Sequence, residues 1–243
     1  MAGGKIGPPA FQIEAMTNST LANLNRRFDH AALLPDVTER DIIRLCAEAQ
    51  EYHFCCVAAN PVWAKLAHDE LVGTDVAVLT VSGFPLGASM TNIKIAEAVQ
   101  GVSDGAAEID MVANIGWLVS GEFEKAEHEI AEIRESIPDN VILKVIIEAG
   151  KLTPSQQTDA TLAVINGGAQ FVKTCTGFFG GATVDQVRTL HAAANGRIEV
   201  KASGGIRTLN QCRELIEAGA TRLGSSSSVS ILRELAAIAD RKP

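Results

Sequence analysis

The sequence predicts a single closed (β/α)8 barrel, on three observations. Short apolar or β-branched runs alternate with capped amphipathic stretches eight times in about 220 residues, and such alternation requires parallel strands joined by helical crossovers. The chain is 47% hydrophobic but only 5% aromatic. Its core is therefore built from Ala, Val, Ile and Leu, the side chains of parallel sheets and the helices packed on them. No GxGxxG motif follows the first strand, where an open dinucleotide-binding sheet, the next-best architecture, would carry one.

Each unit has its own signals. The first strand is expected near Arg27 to Ala31, followed by a helix from about Thr38 to Gln50, with Thr38 and Asp41 spaced as a capping box. Phe54 to Ala59 is the second strand, and Asn60-Pro61 reads as an N-cap with proline at the first helical position. The third strand, Val76 to Val81, precedes a long loop and a helix from about Asn92; the fourth, Glu108 to Val112, precedes a helix over about Gly121 to Ser136. Ile142 to Ile147 leads to the Thr153/Gln156 box, Phe171 to Lys173 to the Thr183/Gln186 box, and Ile198 to Lys201 to the Thr208/Gln211 box. The last strand, near Arg222 to Leu223, runs into a serine-rich turn and a helix to about Asp240. Residues 1 to 19, rich in Gly, Pro, Asn, Ser and Thr, predict a loosely held arm or short helix, and residues 20 to 243 the barrel.

Composition narrows the function classes. A net charge of -8 argues against nucleic acid or an anionic membrane as partner, while leaving room for a local anion site. The five cysteines are odd in number and show no CxxC spacing, which indicates neither a disulfide framework nor a zinc site. No apolar run reaches the ~18 residues of a membrane span, and the expected compartment is the cytoplasm.

Helices cover the outer face of barrel strands, so a charged residue in mid-strand points inward. Period two places Lys144, Ile146 and Glu148 inside and Leu143, Val145 and Ile147 outside; the same rule turns Asp110, Lys173 and Lys201 inward. A structural layer of ion pairs would explain such charges. So would chemistry, because Asp110, Lys173 and Lys201 lie at or near the C-terminal strand ends, where barrel enzymes carry their active sites. Strands about 4.8 Å apart put inward lysines on the sixth and seventh strands with amines ~6 Å apart. At an effective dielectric of ~20 the repulsion is about 3 kcal/mol, roughly two pKa units, which leaves one amine free near pH 8. Such a lysine is a Schiff-base nucleophile.

Three glycine and serine loops follow the last three strands: Thr174-Cys175-Thr176-Gly177, Ser203-Gly204-Gly205-Ile206-Arg207 and Gly224-Ser225-Ser226-Ser227-Ser228. They are adjacent at the C-terminal face, and their backbone N–H groups, the helix start near Ser227 and Arg207 together form a candidate phosphate site.

The chain also resembles the deoxyribose-phosphate aldolases. The resemblance rests on Asp29-His30, Asn60-Pro61, Gly83-Phe84-Pro85-Leu86-Gly87, Glu108 to Val112, Leu143 to Glu148, Phe171 to Thr174, Val200 to Thr208 and Thr221 to Gly224, nearly everything after residue 20. It implies reversible cleavage of 2-deoxy-D-ribose 5-phosphate to D-glyceraldehyde 3-phosphate and acetaldehyde. Lys173 would form the Schiff base, Lys201 would depress its pKa, and Asp110 would relay protons with Lys144 in the same network. Thr174, Thr176, Gly177, Gly204, Gly205, Arg207, Gly224, Ser226 and Ser227 would surround the substrate and its phosphate. No cofactor and no metal is implied, since the protonated imine is the electron sink, and the expected assembly is a homodimer. A related Schiff-base aldolase with another acceptor, and a catalytically silent sugar-phosphate or protein binder, are the competing readings.

Several positions depart from the family pattern: Ala31 and Ala149 stand where threonines are usual, Ala58 for a cysteine, Cys175 for a serine and Ser228 for a glycine, with Phe178-Phe179 in a loop usually smaller or more polar. Lost hydroxyls and added rings predict a pocket more tolerant of apolar or unphosphorylated aldehydes.

Overall fold

A computed structural model describes residues 21–239 of the protein. The arm expected over residues 1 to 19 lies outside them. The chain runs β1 (Phe28–Ala32), α1 (Glu39–Glu51), β2 (Cys56–Ala59), α2 (Ala64–Leu71), β3 (Ala77–Ser82), α3 (Thr91–Ser103), β4 (Glu108–Val112) and two helices, α4 (Ile115–Val119) and α5 (Phe123–Ser136). It continues through β5 (Ile142–Ile146), α6 (Pro154–Asn166), β6 (Phe171–Lys173), α7 (Val184–Ala194), β7 (Glu199–Ser203), α8 (Leu209–Glu217), β8 (Arg222–Ser225) and α9 (Ser228–Ala239). Each strand pairs in parallel with the next, and β8 closes on β1, giving the predicted (β/α)8 barrel.

The local signals account for most helix starts. At α6, Gln156 N–H donates to Thr153 Oγ1 at 3.3 Å and Thr153 N–H donates to Gln156 Oε1 at 3.0 Å. The same reciprocal pair opens α7 and α8, and Asp41 accepts from Thr38 N–H at the start of α1. Two segments differ from expectation. After Pro61 the chain makes one 3-10 turn, Pro61–Trp63, before α2, and the Asn60 side chain makes no cap hydrogen bond but donates its amide to Leu34 O at 3.4 Å. The unexpected α4 starts at Asn114, whose side chain accepts from Trp117 N–H at 3.3 Å.

Strand alternation divides the molecule into two compartments. Phe28, Val57, Val78, Ile109, Met111, Leu143, Val145, Val172, Val200 and Leu223 face the helices in one continuous buried cluster. The interior holds a small apolar group, Cys56, Ala58 and Leu79 with Ala31 and Ala77 against it, beside a dense set of charges. Among the described residues no helix is long and apolar enough to cross a membrane.

Under the β3 and β4 loops lies a buried ion pair that strand periodicity does not reveal. Lys94 of α3 donates to Glu129 of α5 at 2.9 Å and to Val112 O at 2.8 Å, while Glu129 accepts from Asn114 N–H at 3.2 Å. The pair ties the end of β4, two residues beyond Asp110, to the helical layer.

Candidate active site

The parallel register sets the charges side by side. Lys173 is paired with Lys201 across β6 and β7, and Asp110 with Lys144 across β4 and β5. Asp110 Oδ2 accepts from Lys173 Nζ at 2.8 Å and from Lys201 Nζ at 2.6 Å, and Oδ1 accepts from Lys144 Nζ at 3.0 Å. Two amines bonded to one oxygen atom lie closer together than the ~6 Å that strand spacing predicts.

Three further residues complete the network: Asp29, Glu108 and Arg222. Lys201 also pairs with Asp29, and Lys144 with Glu108. Arg222 donates to Asp29 Oδ1 at 2.7 Å and lies 3.3 Å from Glu108 Oε2. The period-two rule holds for Phe28-Asp29-His30 and Arg222-Leu223-Gly224 as well: Phe28 and Leu223 pack outward, so Asp29 and Arg222 face inward.

The network thus contains four cationic side chains, Lys144, Lys173, Lys201 and Arg222, against three carboxylates, Asp29, Glu108 and Asp110. In a buried, low-dielectric site an unbalanced charge is costly. Loss of one proton from a lysine balances the set.

Burial works against the charge on Lys144, but Asp110, Glu108 and Asp29 outweigh it and hold its pKa above the ordinary value. Asp110 is also buried, and the three lysines hold its carboxyl well below the usual range. Lys201, Lys144 and Arg222 likewise overcome burial and the repulsion of Asp110 to bring Asp29 down to about 2. Lys173 has the weakest compensation. Burial and the neighbouring Lys201 and Lys144 lower its pKa to about 8 against the pull of Asp110. The value matches the sequence expectation, whereas the ranking of causes does not: burial comes first and Lys201 second among the lowering effects.

Lys173 and Lys201 reach the floor of a cavity of about 730 Å³ at the C-terminal face. Asp110 and Lys144 lie beneath that floor, wholly buried. Gly177, Gly204, Gly205, Arg207, Gly224 and Ser226 line the wall nearest β6, β7 and β8, with Thr176. Gly204 has φ +87, and a side chain there would meet Gly177 Cα and Gly180 O, both at 2.9 Å; the β6 and β7 loops approach too closely for anything but glycine. Glu148 fixes the same loop, accepting from Thr176 N–H at 3.0 Å and Thr176 Oγ1 at 2.8 Å.

Two residues expected around the substrate lie elsewhere. Thr174 is fully buried, its hydroxyl accepting from Ser203 N–H at 3.1 Å, and it joins β6 to β7 outside the cavity wall. Ser227 is also off the wall and donates its N–H to Ser225 Oγ at 2.9 Å.

The positions that depart from the family pattern separate in the same way. Ala31, Ala58 and Phe178 line the cavity, with Leu33, Leu34 and Val37 forming an apolar side. Phe178 packs edge-to-face on Phe84, centroids 5.5 Å apart. Ala149 instead belongs to the helix-facing cluster, and Phe179 lies outside the cavity wall, under the Lys151 ammonium at 5.5 Å. Neither shapes the cavity, a correction to the expectation that both do. Cys175 Sγ donates to Ser203 O at 2.8 Å, a bond the usual serine hydroxyl would also make.

Residues 24–235 match the family model described as DeoC/LacD family aldolase. The chain is similar to the deoxyribose-phosphate aldolase of Brevibacillus brevis, 44% identical over 211 residues that cover 86% of this chain and 95% of that protein. It is similar to that of a Thermoanaerobacter species at 43% over 215 residues, covering 87% and 96%. Among solved structures, a tetrameric deoxyribose phosphate aldolase from Aeropyrum pernix superposes with a TM-score of 0.84 at 29% identity, covering 95% of this chain and all of that one.

Proposed function

The chain belongs to the DeoC/LacD family of aldolases, and from that premise we propose that it cleaves 2-deoxy-D-ribose 5-phosphate to D-glyceraldehyde 3-phosphate and acetaldehyde, reversibly, through a Schiff base on Lys173. The observation that carries the reading is the placement of one amine, its pKa lowered to about 8, at the floor of a cavity lined by Gly177, Gly204, Gly205, Gly224 and Arg207.

The free amine of Lys173 attacks C1 of the open-chain aldehyde, and the carbinolamine loses water to give an iminium ion. The C3 hydroxyl gives up its proton, the C2–C3 bond breaks, and its electron pair enters the iminium as an enamine. D-Glyceraldehyde 3-phosphate leaves. Protonation of the enamine carbon and hydrolysis then release acetaldehyde and restore the amine. Asp110 joins Lys173 to Lys201 by hydrogen bonds of 2.8 Å and 2.6 Å, a path along which the protons of dehydration and hydrolysis travel. Asp29 and Glu108 hold Lys201 and Lys144 in place.

The phosphate is assigned to the N–H groups around Gly177, Gly204, Gly205 and Ser226 with Arg207. The apolar side at Ala31, Ala58 and Phe178 supports a weaker dependence on that phosphate than its relatives have. Retro-aldol assays test both parts. Acetaldehyde and glyceraldehyde 3-phosphate in equal amounts are expected from the phosphorylated sugar, with a modest drop in kcat/KM for plain deoxyribose. Different products would overturn the substrate assignment; a strong demand for the phosphate would overturn the relaxed one.

A further inference from the structure

At the N-terminal end of β2, next to Asp29 of the cavity lining, lies a second group of reactive side chains. Cys55 immediately precedes β2 and Cys56 opens it, and the two sulfur atoms are 3.9 Å apart. Cys56 is paired in register with Asp29, which brings a carboxylate to the same point, so that a ligand atom from each of Asp29, Cys55 and Cys56 lies within 4.8 Å of the others. Cys56 and Asp29 are fully buried, whereas Cys55 is partly exposed and opens the group to solvent. Neither cysteine lines the catalytic cavity.

We propose that Cys55, Cys56 and Asp29 form a chelating site for a thiophilic d10 divalent cation, zinc or cadmium, and that occupation inhibits the enzyme by engaging Asp29 from the side of the cysteines. A tetrahedral ion with bonds of about 2.3 Å to two thiolates holds their sulfurs about 3.8 Å apart, the separation already present here. Two thiols each lose a proton to solvent as the metal–sulfur bonds form, with no change of oxidation state. Two thiolates and a carboxylate carry three negative charges against the two of the ion, and Arg222, 3.4 Å from Cys56 Sγ, balances the remainder. The cost falls on catalysis. Asp29 is the partner of Lys201, and Lys201 shares an oxygen of Asp110 with Lys173, so an ion that recruits Asp29 loosens the network around the nucleophile.

The test titrates the intact protein with cadmium and zinc, using Cys55→Ser and Cys56→Ser as comparison variants. Wild type is expected to bind one cadmium per chain with a cadmium–thiolate charge-transfer band in the ultraviolet. The Cys55→Ser variant should lose the band and bind at least about tenfold more weakly, since even outer-shell partners contribute that much to metal affinity. Zinc is expected to lower the retro-aldol rate of wild type, chelator to restore it, and Cys55→Ser to keep normal activity at the same zinc concentration. Absence of the band in wild type, or an equal band in Cys55→Ser, overturns the site. A band without inhibition overturns the coupling to Asp29. Binding is read by absorbance, independently of whether the substrate assignment holds.

Discussion

Lys173 is the residue to which the proposed chemistry assigns the Schiff base, and its environment makes its behaviour with pH predictable. Its pKa lies near 8 in the folded chain, below the ordinary 10.5, so folding penalises its charged form. That penalty is fully present below pH 8 and is relieved as pH rises from about 8 towards 10.5, the range where the unfolded chain still binds the proton. Replacing Lys173 by Met leaves Lys144, Lys201 and Arg222 against three carboxylates, and should raise stability at pH 7 by up to about 3 kcal/mol in urea unfolding while abolishing activity. A destabilised variant would contradict the charge balance. Lys201→Leu removes a cation from beside Lys173 and leaves Asp110 more fully to it. Both changes raise the amine's pKa, so the rise of kcat/KM with pH should move to higher pH; a profile that moves down or stays fixed would show that Lys201 does not tune the amine.

The strands carry the charges, the loops carry the proposed phosphate cradle, and the helices hold both in register. Gly204→Ala puts a Cβ into the contact between the β6 and β7 loops at a φ of +87, which should cost about 1–3 kcal/mol of stability and raise KM more for a phosphorylated than for an unphosphorylated substrate. Equal effects on both substrates would mean that the cradle does not hold phosphate. Lys94→Met leaves Glu129 buried without its cation, and a loss of about 3–5 kcal/mol is expected in urea unfolding. At this scale the sequence was legible wherever local rules act alone. Period two placed Asp110, Lys144, Lys173 and Lys201 inside, and Thr-x-x-Gln marked three helix starts. The same period in β1 and β8 turns Asp29 and Arg222 inward. Lys94 and Glu129 were not legible, because they lie 35 residues apart on helices whose meeting depends on tertiary packing. Ala149 and Phe179 were misplaced for a related reason: motif position does not give a loop side chain its direction, which here is towards the helical layer and towards Lys151.

Over the whole molecule, a closed barrel removes every strand edge and gathers charges from β1, β4, β5, β6, β7 and β8 into one buried set. Their sum, four cations against three anions, makes a neutral lysine the balanced state, and the cavity opens onto the lysine whose pKa is lowered to about 8. Covalent trapping shows which of the buried amines is the nucleophile. The protein is incubated with acetaldehyde, reduced with borohydride and mapped by mass spectrometry. One ethyl group on Lys173, absent from Lys201 and Lys144 and absent without acetaldehyde, is expected; an unmodified Lys173, or an adduct on Lys201 instead, would rule out Lys173 as the Schiff-base residue.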